Sequence, residues 1–175
     1  MRKVVYSVAT SLDGYVAGPN GEADWITMDP EIDFGAIFAR FDTVLMGRKT
    51  YEQAKAMGGG PAMPGVTSLV ASRTLKPEDC PGATVVGDGL EERVRELKAG
   101  PGKDVWLFGG GELFRSLLDA RLVDGVEVAV IPVLLAGGVP LLPAGGRAGL
   151  SLRGHRVYKA TGTVSLEYAV EYGRA

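Results

Sequence analysis

The stretch Val105-Trp106-Leu107-Phe108-Gly109-Gly110-Gly111-Glu112-Leu113-Phe114 constrains the fold most, because three consecutive glycines separate an apolar run from a helical pattern. A short apolar run bounded by glycines reads as a buried strand. The following apolar positions Phe114, Leu117, Leu118 and Leu122 keep one helical face against a sheet. Glycines at the junction let the backbone turn sharply and let a ligand lie against it. The helix start beyond them offers unpaired N–H groups to an anion. A strand, a tight turn and a helix in that order belong to α/β architecture.

Two further strand ends carry cations. Asp42-Thr43-Val44-Leu45-Met46-Gly47 is a buried-strand pattern that passes at once into the helical pattern Arg48-Lys49-Thr50-Tyr51-Glu52-Gln53-Ala54. Cations at a helix start oppose the helix dipole, so a ligand accounts for them better than local stability does. A third strand, Val66–Val70, ends in Ala71-Ser72-Arg73-Thr74-Leu75. Ligands in open α/β sheets bind at the carboxyl ends of strands, so the three junctions are expected to face one crevice. Two helix starts and two arginines suit a pyrophosphate plus one further phosphate. Neither the G-x-G-x-x-G fingerprint nor the P-loop spacing is present.

Composition narrows the chemistry. The chain has 175 residues, 46% of them hydrophobic and 23% charged, with a net charge of -2, which suits a globular domain and gives no general nucleic-acid surface. Cys80 is the only cysteine and His155 the only histidine, which disfavours thiolate zinc sites, multi-histidine metal sites and Ser-His-Asp hydrolysis. No apolar run reaches the length of a membrane span and no signal-peptide core follows Met1, so a reducing cytoplasm is the expected setting.

Arg2 to Ala9 reads as the first strand, leading into the loop Ser11-Leu12-Asp13-Gly14 and the punctuated stretch Tyr15–Gly21. Trp25 can wall a flat ligand or cap the core. Asp29-Pro30-Glu31 has the composition of a helix start, with Asp29 as N-cap and Pro30 at the first position. Phe34, Ile37, Phe38 and Phe41 then mark its apolar face. Glu31 and Asp33 border that stripe, about 60° and 100° from its centre, and can serve either the helix dipole or the N–H edge of a heterocycle. Ala56 to Gly65 is a glycine- and proline-rich connection. Ala83–Val86 is a short strand, Leu90, Val94 and Leu97 mark a helix ending before Gly100, and Val123–Val133 is a long β run. Pro132–Pro143 is a stiff apolar loop. Leu152–Ala160 and Thr163–Tyr172 form an antiparallel pair near a sheet edge, with apolar residues at period two. The expected fold is a single three-layer α/β domain over residues 1–175, with a mostly parallel central sheet and antiparallel C-terminal edge strands.

The ordered blocks Ser11–Ala17, Asp24-Trp25, Asp42–Glu52, Ser72–Leu75, Leu107–Leu113 and Pro132–Leu141 resemble the reductase domain of bacterial riboflavin biosynthesis (RibD C-terminal), in its stand-alone, dihydrofolate-reductase-like form. The resemblance implies the dihydrofolate-reductase fold, NADPH as hydride donor and a planar pyrimidine- or pteridine-like substrate. It places Gly47, Arg48, Lys49 and Thr50 on cofactor phosphate and ribose, Ser72 and Arg73 at the adenosine end with its 2′-phosphate, and Gly109, Gly110, Gly111, Glu112 and Leu113 on the pyrophosphate. Ala9 and Gly18 border the nicotinamide, Asp13 and Trp25 position the substrate, and either Glu31 or Asp33 acts on it. A homodimer is expected from the same resemblance and from the exposed edge. Dihydrofolate reduction, and NADPH binding without catalysis, stand as alternatives. The zinc motif of the accompanying deaminase is missing, so no deamination is expected.

Overall fold

The computed structural model describes residues 1–56 and 65–173. Its strands are β1 (Val4–Ser11), β2 (Tyr15–Ala17), β3 (Phe41–Gly47), β4 (Thr67–Ala71), β5 (Thr84–Val86), β6 (Asp104–Gly109), β7 (Gly125–Ile131), β8 (Val139–Pro140), β9 (Gly149–Tyr158) and β10 (Thr163–Glu171). Its helices are α1 (Phe34–Phe38), α2 (Arg48–Ala56), α3 (Leu90–Ala99) and α4 (Gly111–Asp119). Eight strands form one sheet in the order β5-β4-β3-β6-β1-β7-β10-β9. The run from β5 to β7 is parallel, and β10 and β9 continue it antiparallel. The expected architecture is therefore present, with the antiparallel pair at the sheet edge and β9 as the outer strand.

Alternation of side chains across the sheet builds two cores. On one face Val4, Tyr6, Leu45, Val105 and Leu107 pack under α3 and α4. Phe114, Leu117, Leu118 and Leu122 are at most 6% exposed, as the helical spacing predicts, and Phe114 stacks on Tyr6 at 4.0 Å. On the other face Val44, Met46, Val70 and Tyr51 of α2 enclose Cys80. The connection Ala56–Gly65 falls almost wholly outside the described residues. The stretch expected as plain loop before Pro143 supplies β8, which pairs antiparallel with β2.

The helix predicted from Asp29 starts four residues later. Asp33, not Asp29, is the N-cap of α1, and its carboxylate accepts the Ala36 N–H at 2.8 Å. Asp29 is buried and accepts the N–H of Glu31 at 2.9 Å and both the N–H and hydroxyl of Thr161, at 3.1 and 2.8 Å. Its oxygens thus tie the chain to the β9–β10 turn instead of capping a helix. α1 is five residues long, its Phe34, Ile37 and Phe38 are only half-buried, and Phe41 already belongs to β3.

Candidate active site

The ends of β4, β3 and β6 lie side by side, with Gly47 in register with Ala71 and Met46 with Gly109. Arg48 opens α2 with no intervening loop, and Gly110 caps α4 with no side-chain hydrogen bond to its first N–H groups. A Cβ placed on Gly109 or Gly110 would come 3.5 or 3.4 Å from the Thr50 hydroxyl, and one on Gly47 would come 3.7 Å from the Gly110 nitrogen. The two helix starts therefore meet at one place, where a methyl group would fill the space. Free N–H groups and two positive dipole ends there suit an anion. Gly111 is pressed from the other side: a Cβ on it would sit 3.0 Å from both the Pro140 carbonyl and Pro143 Cδ. Glu112 and buried Leu113 complete the first turn of α4.

Beyond β4 and β5 an open groove of about 850 Å³ is lined by Arg48, Ser72 and Arg73, together with Asp88 and Arg95. The Ser72 hydroxyl accepts the N–H groups of Thr74 and Leu75, at 3.2 and 3.0 Å, and so fixes the turn that presents Arg73. Arg48 is held by Glu52 one helical turn on, at 3.1 Å, while Lys49 is exposed.

A second space lies over the central strands. Register places Ser7 beside Glu127, and Ala9, Ala129, Ser165 and Arg156 in one row across β1, β7, β10 and β9. Ser7, Ala9, Ala129 and Ser165 are only half-buried, whereas Val4, Tyr6, Val126 and Val128 on the opposite face are at most 8% exposed. Four small side chains on central strands make a flat, accessible floor. Trp106 shares this face through its pairing with Val5 and donates its indole N–H to the Ser7 carbonyl at 2.9 Å. Phe38 of α1 stacks on Trp106 at 5.2 Å. Arg40 makes a two-point ion pair with Glu127, at 2.5 and 3.1 Å.

The expected acids lie at the surface near this cleft. Asp33 is occupied as the α1 cap, and Glu31 contacts Arg156 at 3.3 Å with both side chains more than half exposed. Asp13 is engaged on both oxygens: the Ser11 hydroxyl donates at 2.6 Å, and the N–H groups of Leu135 and Ala136 donate at 3.1 and 2.7 Å. These contacts, the Ser11 hydroxyl first, hold its carboxyl below the ordinary range. Gly18 and Trp25 come together because the Gly18 N–H and the Trp25 indole N–H both donate to the Glu22 carbonyl, at 2.8 and 3.2 Å. Gln53 of α2 reaches the Gly21 carbonyl at 2.6 Å, which joins this loop to the helix that starts at the end of β3. Of the floor residues Ala9 alone was singled out from the sequence; Ser7, Ala129 and Ser165 were not, nor were Arg40, Glu127, Arg156, Asp88 and Arg95. Half of the floor carries a readable signal, since Ser7 and Ala9 are small at alternate positions of an apolar strand.

The whole architecture is that of dihydrofolate reductase. The Enterococcus faecalis dihydrofolate reductase, solved as a complex with NADP(H), superposes with a TM-score of 0.67 at 17% identity over 97% of each chain. A protein from Shewanella sp. PV-4, provisionally assigned to riboflavin biosynthesis, superposes with a TM-score of 0.82 at 25% identity, over 98% of this chain and 100% of that one. The family model of the RibD C-terminal domain matches residues 2–164, and the chain belongs to that family. The uncharacterized protein YyaP of Bacillus subtilis is 32% identical over 95% of this chain and 94% of its own length.

Proposed function

We propose that the protein is an NADPH-dependent reductase of a pyrimidine- or pteridine-like heterocycle, resembling the 5-amino-6-(5-phosphoribosylamino)uracil reductase of riboflavin biosynthesis. The observation that carries this reading is the convergence of the α2 and α4 starts beside a groove bearing Arg73, next to a flat floor on β1, β7 and β10. The residues fit a dinucleotide. Gly109, Gly110, Gly111, Glu112 and Leu113 would hold the pyrophosphate, Gly47, Arg48, Lys49 and Thr50 the adjoining phosphate and ribose, and Ser72 and Arg73 the 2′-phosphate. Ala9 and Gly18 would border the nicotinamide, which supplies a hydride when bound.

The protein's own part is to orient the heterocycle and exclude water. The floor of Ala129 and Ser165 and the ring of Phe38 would sandwich it, and Trp25 would close one side. Asp33 or Glu31 would accept its N–H edge and pass the proton that accompanies the hydride. Asp13 would act as a positioning residue, since its oxygens already hold Leu135 and Ala136. Residues 1–175 would make one domain. The exposed Leu150, Leu152 and Val157 on β9, 47%, 53% and 56% accessible, would be covered by a second copy in a homodimer. A monomer in sedimentation at micromolar concentration refutes that assembly.

Purified protein assayed with NADPH against pteridines, aminopyrimidines, dihydrofolate and quinones tests the activity. Oxidation of NADPH with an aminopyrimidine or pteridine is expected. Turnover of dihydrofolate alone would make it a dihydrofolate reductase. A specific observation favours one further reading, NADPH binding without catalysis: both helix acids already have structural partners. Tight NADPH binding with no oxidation across the panel would establish it.

A further inference from the structure

We propose that Asp88 governs nucleotide choice, accepting the free ribose 2′-hydroxyl of NADH and opposing the 2′-phosphate of NADPH, so that the protein binds both nucleotides. This rests on the groove being the adenosine end of a nicotinamide-nucleotide site.

The groove is lined by three arginines, Arg48, Arg73 and Arg95, and three acids, Asp88, Glu91 and Glu92. Four of these charges are neutralised within the groove or beside it. Arg48 pairs with Glu52 at 3.1 Å, and Arg95 with Glu91 and Glu92 at 2.9 and 3.5 Å. Among the described residues, Arg73 and Asp88 are the two charged groups of the groove left without an ion-pair or hydrogen-bond partner.

These two groups stand on neighbouring strand ends. The Ser72 N–H donates to the Val86 carbonyl at 2.9 Å, and a Cβ on Gly87 would lie 3.5 Å from the Ser72 carbonyl. Arg73 follows Ser72 and Asp88 follows Gly87, so both residues stand just past adjacent, hydrogen-bonded strand ends and line one groove. Asp88 does not cap α3, because Gly89, at φ +91°, is the N-cap and Glu91 and Glu92 already supply the acids of the first turn.

A guanidinium and a carboxylate that line one groove without pairing to each other select different forms of one ribose. A 2′-phosphate gains Arg73 and meets a like charge at Asp88. A free 2′-hydroxyl has nothing to offer Arg73 beyond a lone pair, and donates well to a carboxylate placed just after a strand. Both nucleotides therefore find one favourable contact, and only NADPH meets a repulsion.

Dissociation constants for NADPH and NADH, measured by calorimetry on wild type, Asp88→Asn, Asp88→Ala and Arg73→Ala, test this. Asp88 is exposed and unpartnered, so neither substitution at it threatens folding. Asp88→Ala should weaken NADH roughly tenfold or more, the worth of a hydrogen bond to a charged group. Both Asp88 variants should tighten NADPH roughly threefold or more by removing a like charge. An NADPH-to-NADH ratio that moves less than about twofold in both variants, or NADPH weakened by Asp88→Asn, overturns the role of Asp88 and leaves the nucleotide site standing. Wild type that binds neither nucleotide overturns the site itself, and the role of Asp88 with it.

Discussion

Asp33 is asked to do two things that can be separated by one atom. Its carboxylate accepts the Ala36 N–H at 2.8 Å and so caps a helix of only five residues. Replacing a capping Asp by Ala costs about 1 kcal/mol, and α1 has no other side-chain cap to compensate. For a chain of this length that is a fall in Tm of roughly 2–4 °C. Asn caps as well as Asp, so Asp33→Asn should lose only the charge–dipole attraction, a few tenths of a kcal/mol at an exposed helix start. Thermal melts and kcat/KM are then measured together on both variants and on Glu31→Gln, which removes an exposed ion pair with Arg156 worth about 0–1 kcal/mol. If Asp33 binds the substrate's N–H edge, Asp33→Asn keeps the wild-type Tm and loses roughly tenfold or more in kcat/KM, the value of a charged hydrogen bond. Asp33→Asn melting as low as Asp33→Ala would show the capping analysis to be wrong. Wild-type efficiency in both Asp33→Asn and Glu31→Gln would end the substrate-acid reading for this helix.

Arg73→Ala should weaken NADPH by roughly ten- to a hundredfold and NADH far less, and Arg48→Ala should cost less, because its guanidinium must first leave Glu52. Equal losses for both nucleotides in Arg73→Ala would refute the 2′-phosphate assignment. Gly111→Ala should lower stability by about 1–3 kcal/mol of overpacking, offset by up to about 1 kcal/mol of helix propensity, since its methyl would meet the Pro140 carbonyl and Pro143 at 3.0 Å. A raised Tm would show that the 139–143 loop yields freely. The Asp29 carboxyl is held below the ordinary aspartate value, by the Glu31 N–H first and by Thr161. The folded pKa lies below the unfolded one, so its contribution is present above about pH 4 and is lost as pH falls through the folded value. Acid titrations of stability should therefore be shallower below pH ~4 in Asp29→Asn than in wild type, and identical acid profiles would refute the role of these contacts.

What could be read from the chain, and what could not, divides by the distance over which a residue finds its partners. The β6–α4 junction was readable because every determinant is local. An apolar run, three glycines and the stripe Phe114, Leu117, Leu118 and Leu122 lie within eighteen residues, and each does in the fold what its spacing implies. The same holds for Gly47-Arg48 and Ser72-Arg73, whose ends lie level once β4, β3 and β6 are parallel neighbours. The convergence of these strand ends is thus written in short range. Asp88 and Arg95 escaped notice because their meaning depends on which neighbours are already neutralised, a property of the assembled groove.

The open floor over the central strands was hidden for a single physical reason. A helix from Asp29 through Phe41 would be about 20 Å long and would cross some four strands, laying an aromatic face over β6, β1, β7 and β10. The composition Asp29-Pro30-Glu31 fits that start, but the Asp29 carboxylate is drawn to Thr161, 132 residues away, where it satisfies an N–H and a hydroxyl of the β9–β10 turn. With Asp29 anchored there, only Phe34–Phe38 becomes helical, about 7.5 Å of it. Ser7, Ala9, Ala129 and Ser165 are left partly uncovered on strands that are otherwise central to the sheet. The displaced helix start and the open floor are therefore one event. The hydrogen bonds that hold Asp29 away from α1 are the ones that leave these strands open.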